Sequence, residues 1–139
     1  MESMIEFIHE RIGKKYYDQG IDFTMGNGHD TLFLKSHEYF DEDVRDFEVG
    51  IFNLGYLPGG NHECVTQYEI TLKTIKKALK HLVKGGCLYV VVYIGHDQGK
   101  ESTNLDAYFR TLDHKLYNVA KFEMMNNKNA PYVVIVEKR

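Results

Sequence analysis

The chain has 139 residues, of which 43% are hydrophobic and 27% charged, with a formal net charge of −3. These values are typical of one globular domain with a single core, and the acidic balance excludes a general attraction to nucleic acid, so any RNA site must be a local patch. No apolar run approaches the roughly 18 residues of a membrane-spanning helix. The first fifteen residues include Glu2, Glu6, Glu10 and Arg11, which is not the pattern of a signal peptide. We therefore expect a single domain over residues 1–139, soluble and cytoplasmic.

The amino-terminal part predicts a helix, a strand and a glycine turn. Apolar residues from Met4 to Ile12 fall on one side of a helix. Residues 21–25 are a short apolar run typical of a strand. Gly26 and Gly28 then allow a tight turn, and Asp30 is suited to cap a following helix. Free N–H groups at such a helix start favour an anion or a polar ligand edge.

The middle of the chain predicts a second strand and a long helix. Residues 35–47 carry an acidic cluster and predict a solvated helix or loop. Residues 49–54 predict a buried strand, and a loop rich in glycine follows at residues 55–60. Residues 66–84 predict the strongest helix of the chain, ended by Gly85 and Gly86. It has an apolar stripe and a basic stripe, the latter formed by Lys73, Lys76, Lys77, Lys80 and Lys84.

The last third predicts three strands and one helix. Residues 87–94 are a continuous apolar run, as expected of a central parallel strand covered on both faces. A loop at residues 95–99 leads to a helix at 100–112, and strands at 119–125 and 131–137 predict an antiparallel hairpin at a sheet edge. Alternating strands and helices predict an α/β doubly wound sheet with an antiparallel last strand.

Three loops, at residues 24–30, 53–60 and 95–99, follow predicted strands. In an open α/β sheet, the carboxyl edge of the strands is where ligands bind. The first loop is not a dinucleotide fingerprint, because Thr31 stands where G-x-G-x-x-G requires a glycine. By itself it is equally compatible with a structural turn. The convergence of three loops favours a small-molecule site more strongly than any one loop does.

Asn53 and Tyr56 are candidate substrate contacts in the second loop. The side-chain carbonyl of Asn53 and a neighbouring backbone carbonyl could accept hydrogen bonds from an amine and direct its lone pair at an electrophile. A structural cap is the alternative for Asn53, and a half-buried surface residue is the alternative for Tyr56, whose ring could otherwise stack on a nucleobase.

Histidines and lysines give weaker signals. His96 in the third loop could make a polar contact or relay a proton, although a loop histidine is more often simply solvated. His29 could be a contact or a turn residue. The basic stripe is a solvated face or, less often, an RNA-phosphate patch. Cys64 and Cys87 lack metal-site spacing and are expected to be free thiols.

Three blocks of sequence resemble one known family. DFTMGNGHDTLFL at residues 22–34, IFNLGYLPGG at 51–60 and YIGHDQGKE at 93–101 resemble the small bacterial family described as putative rRNA methylases. The resemblance implies a Rossmann-like class I methyltransferase that uses S-adenosylmethionine. Its members methylate the aminomethyl group of the tRNA wobble uridine and form 5-methylaminomethyl-2-thiouridine.

The resemblance also implies site residues, position by position. Catalytic roles fall on Asn53, Tyr56 and His96, with N-L-G-Y at residues 53–56 similar to the motif by which amino methyltransferases position their amine. The set implied to bind the cofactor is Asp22, Thr24, Gly26, Asn27, Gly28, His29, Asp30, His37, Asn53 and Leu54. The sequence departs from the family at Asp97, where proline is usual.

The largest departure from the family lies between Leu34 and Lys35. The family has there a further strand–helix–strand unit of roughly 35–40 residues, including an acidic residue at the second strand. In such folds that residue binds the cofactor ribose, and this sequence has no counterpart. Two alternatives stay open: the native protein carries residues that this sequence omits, or the fold is truncated.

The sequence thus predicts an S-adenosylmethionine-dependent methyltransferase whose partner is the tRNA anticodon stem–loop. The alternative is a non-catalytic nucleotide- or RNA-binding module that keeps the fold. A nicotinamide-dependent oxidoreductase is disfavoured by Thr31 and by the missing acidic residue. An incomplete sheet edge also makes a homodimer an expectation. No metal and no membrane are expected.

Overall fold

A computed structural model of the chain describes residues 10–11, 20–22, 46–54, 64–94 and 100–139. These residues form a mixed sheet and two helices. The strands are β1 (Gly20–Asp22), β2 (Phe47–Leu54), β3 (Leu82–Val92), β4 (Tyr117–Phe122) and β5 (Tyr132–Lys138). The helices are α1 (Cys64–His81) and α2 (Lys100–Arg110). Glu10 and Arg11 are helical, in agreement with the predicted amino-terminal helix.

The described strands lie in the order β1-β2-β3-β5-β4. β1, β2 and β3 are parallel, whereas β5 runs antiparallel to both β3 and β4. The parallel step from β2 to β3 needs a crossover connection, which α1 provides. This arrangement confirms the predicted α/β class, the antiparallel last strand and the terminal hairpin at a sheet edge.

The core occupies both faces of β3. Leu88 to Val92 are each no more than 2% exposed, as predicted for a central strand covered on both sides. On one face, Leu88, Val90 and Val92 pack with the apolar residues of α1 and α2. On the other face, Tyr89 and Val91 pack with Val49 and Val133. Successive side chains alternate between the faces because a strand has a period of two residues.

Helix α1 forms because its buried positions recur at helical spacing. Thr71, Ile75, Ala78 and Leu79 are buried, whereas the lysines of the basic stripe that lie on α1 are exposed except at the half-buried Lys77. Lys84, which was predicted to end the stripe, lies in β3. Near the end of α1, Lys138 Nζ donates a 3.0 Å hydrogen bond to the Leu79 carbonyl. This carbonyl lies in the last turn of the helix, where carbonyl groups lack a partner within the helix.

The predicted end of this helix was wrong by three residues. Gly85 and Gly86 lie within β3 and do not end α1, because Leu82 already pairs with Phe47 of β2. Phe47 and Val49 pair with Leu82 and Cys87, so the single residue between the first pair faces the four residues 83–86 of β3. The extra residues form an irregular turn of chain, in which Gly85 has a φ of 83°. A left-handed conformation of this kind favours glycine.

β3 begins five residues earlier than predicted, at Leu82, and the other boundaries within the described residues differ by one to three residues. β2 begins at Phe47 and β3 ends at Val92, while α2 ends at Arg110 in turns from Thr111 N to the Tyr108 carbonyl and from Leu112 N to the Phe109 carbonyl. β4 and β5 are shifted slightly along the chain but keep their pairing. Helix and strand ends are the least certain part of any pattern-based prediction.

β1 forms one edge of the described sheet. The strand–helix–strand unit expected from the family would add strands beyond this edge. The junction of Leu34 and Lys35 lies outside the described residues. No helix in the described part of the chain is long and apolar enough to cross a membrane.

Candidate functional site

The carboxyl ends of three strands meet at one edge of the sheet. β1, β2 and β3 are parallel and end at Asp22, Leu54 and Val92. Because β5 is antiparallel, it begins at the same edge with Tyr132. Leu54, Val92 and Tyr132 form one row of register partners across the sheet. This edge is where open α/β sheets bind ligands, and we call it the site edge.

Asn53 is the predicted site residue that the structure describes most fully. It is the next-to-last residue of β2 and pairs in register with Val91. By strand alternation it lies on the face of Val49 and Ile51, opposite the face that α1 and α2 cover. Its Oδ1 is buried and accepts no hydrogen bond within the described part of the molecule.

A buried carbonyl oxygen without a donor is unfavourable by about 1–3 kcal/mol. Such a group calls for an explanation in a folded protein, and a bound ligand with an N–H donor is one. The position of Asn53 at the site edge makes it an acceptor suited to an amine. The structural-cap alternative requires a protein donor to this oxygen, and the described residues provide none.

Asp22 and Leu54 are the other predicted site residues in the described part of the chain. Asp22 ends β1 and its neighbour Ile21 pairs with Gly50, so Asp22 sits opposite Ile51, two residues before Asn53. The fold therefore brings Asp22, Asn53 and Leu54 to one edge. The remaining predicted site residues lie outside the described residues: Thr24, Gly26, Asn27, Gly28, His29, Asp30, His37, Tyr56 and His96.

A cleft of about 320 Å³ opens at the site edge beside β3 and β5. It is formed by the end of β3 and by the β4–β5 turn, which we define as residues 123–131. Its lining residues are Ile94, Glu123, Met124, Met125, Asn127, Lys128, Ala130 and Tyr132. These residues combine thioethers, an amide, a cation, an aromatic ring and the carboxylate of Glu123, which lies 3.5 Å from Lys121 Nζ. The thioethers and the ring can contact a flat apolar group, and the lysine can contact an anion.

Tyr132 fixes the wall of this cleft to α2. Its hydroxyl donates to Asp106 Oδ1 at 2.8 Å and lies 3.3 Å from the Ser102 carbonyl. Lys121 Nζ contacts Asp106 Oδ2 at 2.9 Å and lies 4.2 Å from the centre of the Tyr132 ring. These contacts hold the start of β5, the end of β4 and α2 in one arrangement.

Burial raises the pKa of the Tyr132 hydroxyl strongly above its usual 10.0, and the hydrogen bond to Asp106 raises it further. Removal of its proton would leave a phenolate facing a carboxylate in a desolvated position. Burial, and then the nearby Tyr117, also raise the pKa of Tyr108. Tyr132 is therefore a neutral donor at physiological pH.

The basic stripe of α1 lies away from the site edge. α1 leaves the carboxyl end of β2 and runs to the amino end of β3, so its last lysines approach the opposite edge. Lys76 Nζ lies 5.5 Å from the centre of the Tyr108 ring, and Lys80 is exposed. This placement favours the solvated-face interpretation for the end of the stripe.

Metal and thiol chemistry find no support in the described residues. They contain no group of three or more side chains able to hold a metal ion. Cys87 is buried in β3 and forms no disulfide, as expected from the sequence.

The cleft was not identified from the sequence. Residues 126–130 are polar apart from Ala130, but nothing in the sequence by itself places them at a site. The signal that could have done so is the antiparallel direction of the last strand, because it brings the chain before β5 to the site edge. An asparagine-rich run with a lysine at that point then becomes a candidate contact surface.

Comparison with known proteins gives a family match over nearly the whole chain. A family model described as "Putative rRNA methylase" matches residues 5–138. An Arabidopsis thaliana protein named tRNA (mnm(5)s(2)U34)-methyltransferase, chloroplastic, is 42% identical over 106 residues, which are 76% of this chain. The match spans 38% of the length of that protein.

Solved structures of similar proteins share the fold. A structure from Clostridium thermocellum described as a "putative rRNA-methylase" is 26% identical, with a TM-score of 0.80, and the match covers 100% of this chain and 99% of that one. A "putative methyltransferase" from Streptococcus mutans in complex with SAH is 29% identical, with a TM-score of 0.77 and coverage of 100% and 99%. The class I methyltransferase fold inferred from the resemblance is therefore confirmed.

Proposed function

Because this chain belongs to the family described as "Putative rRNA methylase", we propose that it is an S-adenosylmethionine-dependent N-methyltransferase. Its substrate is the 5-aminomethyl group of a (2-thio)uridine at the tRNA wobble position. The name of the Arabidopsis relative supports this substrate, and the SAH complex of the Streptococcus relative supports the cofactor. The observation within this chain that carries the proposal is the buried Oδ1 of Asn53 at the site edge, which has no hydrogen-bond partner among the described residues.

The residues at the site edge fit S-adenosylmethionine and an amine. Asp22 at the end of β1, together with the glycine turn after it, would hold the cofactor, and Asn53 and Leu54 would border it from β2. S-adenosylmethionine supplies a methyl group bound to a sulfonium, which is electrophilic. The contribution of the protein is to position the amine and to tune its electrostatics.

The chain must also make the amine nucleophilic. Alkyl amines are mostly protonated at neutral pH, so the site has to desolvate the amine or accept its proton. Asn53 Oδ1 and the Leu54 backbone carbonyl accept hydrogen bonds from the amine N–H groups, and its lone pair is then left directed at the electrophile. In this proposal Tyr56 contacts the base, and His96, which matches a Gly-His pair of the family, relays the proton.

The second candidate function is a non-catalytic nucleotide- or RNA-binding module. The observation in its favour is that β1 is the edge strand of the described sheet, where the family carries its ribose-binding unit. A chain without that unit could keep the RNA surface and lose the cofactor. Titration with S-adenosylmethionine separates the two candidates.

Partners and location complete the proposal. The tRNA anticodon stem–loop is the macromolecular partner, and a homodimer would cover an incomplete sheet edge. We propose the cytoplasm as the location, whereas the Arabidopsis relative is named as a chloroplast protein. Gel filtration with light scattering tests the dimer, and a fluorescent fusion tests the location.

Nucleoside mass spectrometry tests the activity. Bulk tRNA that carries 5-aminomethyl-2-thiouridine is incubated with the protein, with and without S-adenosylmethionine, and digested to nucleosides. We expect 5-methylaminomethyl-2-thiouridine to form only when both are present. If the aminomethyl nucleoside persists while a relative such as the Streptococcus protein converts it under the same conditions, the proposed activity is wrong.

A further inference from the structure

We propose that the cleft beside β3 and β5 binds one RNA nucleotide next to the target uridine, and that Lys128 in the β4–β5 turn contacts its phosphate. The identity of the RNA rests on the proposed function. The cleft itself is argued from its position, the fixed geometry of its turn and its chemistry.

Position places the cleft one nucleotide away from the amine site. Leu54, Val92 and Tyr132 lie in one row across adjacent strands. Strands are about 4.8 Å apart, so the Tyr132 backbone lies about 10 Å from that of Leu54. An RNA segment whose target base reaches Asn53 therefore has a flanking nucleotide within reach of the cleft. The volume of about 320 Å³ is at the small end of ligand clefts and suits a single nucleotide.

The β4–β5 turn has a defined shape. Asn127 Oδ1 accepts a 3.1 Å hydrogen bond from the Asn129 backbone N–H, and the Asn127 carbonyl accepts one of 3.2 Å from Ala130 N–H. An asparagine that bonds two residues ahead stabilises a tight turn. Lys128 is therefore held at the tip of a hydrogen-bonded turn that lines the cleft. When Lys128 binds a phosphate, little ordering of the backbone is required.

The charges around the cleft leave Lys128 available for an anion. Glu123 lies 3.5 Å from Lys121 Nζ, and Lys121 also contacts Asp106. Lys128 forms no ion pair with any residue in the described part of the chain. On a protein whose net charge is −3, such a local cation is the kind of patch that a phosphate contact needs.

The apolar part of the cleft suits a nucleobase. Met125 is 95% exposed, which is unusual for a large apolar side chain, and Met124 beside it is half-buried. Thioethers are polarisable and adapt their shape to a flat aromatic partner. Sequence-selective proteins take single-stranded RNA with its bases splayed out, and an anticodon loop offers such bases.

Binding measurements at several salt concentrations test the proposal. The probe is an anticodon stem–loop RNA that carries 5-aminomethyl-2-thiouridine, and the proteins are wild type, Lys128→Ala, Lys128→Arg and Lys115→Ala. Lys115 is the matched control, an exposed lysine in the α2–β4 turn at the opposite edge of the sheet. We expect Lys128→Ala to weaken binding roughly three- to tenfold and to reduce the slope of log K against log salt by about 0.7, the value for one phosphate of a single strand.

The variants distinguish a charge contact from a structural effect. Lys128→Arg should retain the wild-type slope, and Lys115→Ala should match wild type in both affinity and slope. If Lys128→Ala binds with the wild-type slope, the phosphate contact does not exist and the proposal is overturned. Because RNA binding is measured without methyl transfer, an inactive wild-type protein would overturn the proposed function and still leave this comparison decisive.

Discussion

Asn53 and Tyr132 each have a buried polar atom, and the two atoms differ in whether a described residue provides a hydrogen-bond partner. The Tyr132 hydroxyl has its partners within the protein, Asp106 and the Ser102 carbonyl. The Asn53 Oδ1 has none among the described residues. A group satisfied internally contributes to stability, whereas an unsatisfied one costs stability and is available to a ligand. The first is therefore a structural residue and the second a functional candidate.

Asn53→Ala removes the proposed amine acceptor. We expect methyl transfer to fall by at least about 100-fold, because loss of one positioning group at a reacting centre has an effect of that order. Binding of S-adenosylmethionine, measured by calorimetry, should change little. Asn53→Asp keeps an acceptor oxygen and should retain more activity than the alanine variant.

The control for Asn53 is Asn118→Ala. Asn118 is an exposed asparagine whose Nδ2 donates to Glu137 Oε1 at 3.1 Å, at the opposite edge of the sheet. The Asn118→Ala substitution should leave the rate of methyl transfer unchanged. Unchanged turnover in Asn53→Ala would remove Asn53 from the mechanism.

Tyr132→Phe tests the satisfied group through stability. At neutral pH we expect a loss of about 1–3 kcal/mol, because Asp106 loses a hydrogen-bond donor. Since burial raises the pKa of Tyr132 in the folded state, its contribution is full below about pH 10 and declines above it, as the unfolded chain ionises first.

The stability difference between wild type and Tyr132→Phe should therefore shrink above about pH 10, by no more than about 1.4 kcal/mol per pH unit. Urea unfolding of both proteins between about pH 8 and pH 11 measures this difference in the free energy of unfolding. Asp106 and Lys121 are present in both proteins, so the comparison isolates the hydroxyl of Tyr132. Parallel stability profiles across this range would contradict the assigned environment of Tyr132.

At the scale of elements, the passage from α1 into β3 determines the register of the central strands. Leu82 already pairs with Phe47, and β3 must then accommodate extra residues before Cys87 pairs with Val49. Gly85 does so with a positive φ, and Gly86 by close approach of its backbone. The two glycines thus have different physical requirements, although the sequence shows them only as a pair.

Substitutions at the two glycines should separate these requirements. A Cβ at Gly86 would lie 2.8 Å from the Glu48 carbonyl oxygen and 2.9 Å from that of Val83, so Gly86→Ala should cost about 2–3 kcal/mol. A Cβ at Gly85 meets nothing within 4 Å, so Gly85→Ala should cost only about 1–2 kcal/mol of backbone strain.

Gly85→Asn serves as the control, because asparagine tolerates the left-handed region better than alanine does. It should be more stable than Gly85→Ala, whereas Gly86→Asn should be no better than Gly86→Ala. Unfolding in urea measures all four variants. A Gly86→Ala protein as stable as wild type would show that β3 can adopt another path at this point.

At the scale of the whole molecule, the described strands form the part of a class I methyltransferase sheet that carries Asn53, the proposed amine acceptor. β2, β3 and β5 hold Asn53 and the cleft side by side. β1 ends at the same edge and is also the edge strand of the described sheet. The strand–helix–strand unit that the family resemblance implies after Leu34, with its ribose-binding residue, has no counterpart in the sequence.

Calorimetric titration with S-adenosylmethionine tests how much the missing strand–helix–strand unit contributes to cofactor binding. We expect one binding site in the 139-residue chain, with an affinity lower by about tenfold or more than in a chimera that carries the strand–helix–strand unit of a relative between Leu34 and Lys35. The reason is that hydrogen bonds to a charged group are worth about 1.5–3 kcal/mol, and the ribose partner is missing.

The two proteins separate the candidate functions. If the 139-residue chain binds no S-adenosylmethionine while the chimera does, this chain acts as an RNA-binding module and not as the enzyme. If both bind equally, the missing unit contributes nothing to the cofactor site.

The sequence determined the local periodicities and, through three specific blocks, the family. The continuous apolar run of β3, the helical spacing of Ile75, Ala78 and Leu79, and the final hairpin were predictable, because burial imposes a period on the chain that carries it. The place of Asn53 at a strand end also suggests an acceptor, and this role stays a prediction. That its oxygen has no partner among the described residues was not predictable, since a hydrogen-bond partner can come from any distance along the chain.

The way in which distant segments combine follows from the tertiary structure and not from local patterns. Gly85 was assigned to a helix end because its role depends on the register of β2, a strand about 35 residues earlier in the chain. The cleft was missed because it forms only when antiparallel β5 brings its preceding turn to the carboxyl edge of parallel β3. Strand direction and register depend on contacts between segments far apart in sequence, whereas periodicity depends on neighbours alone.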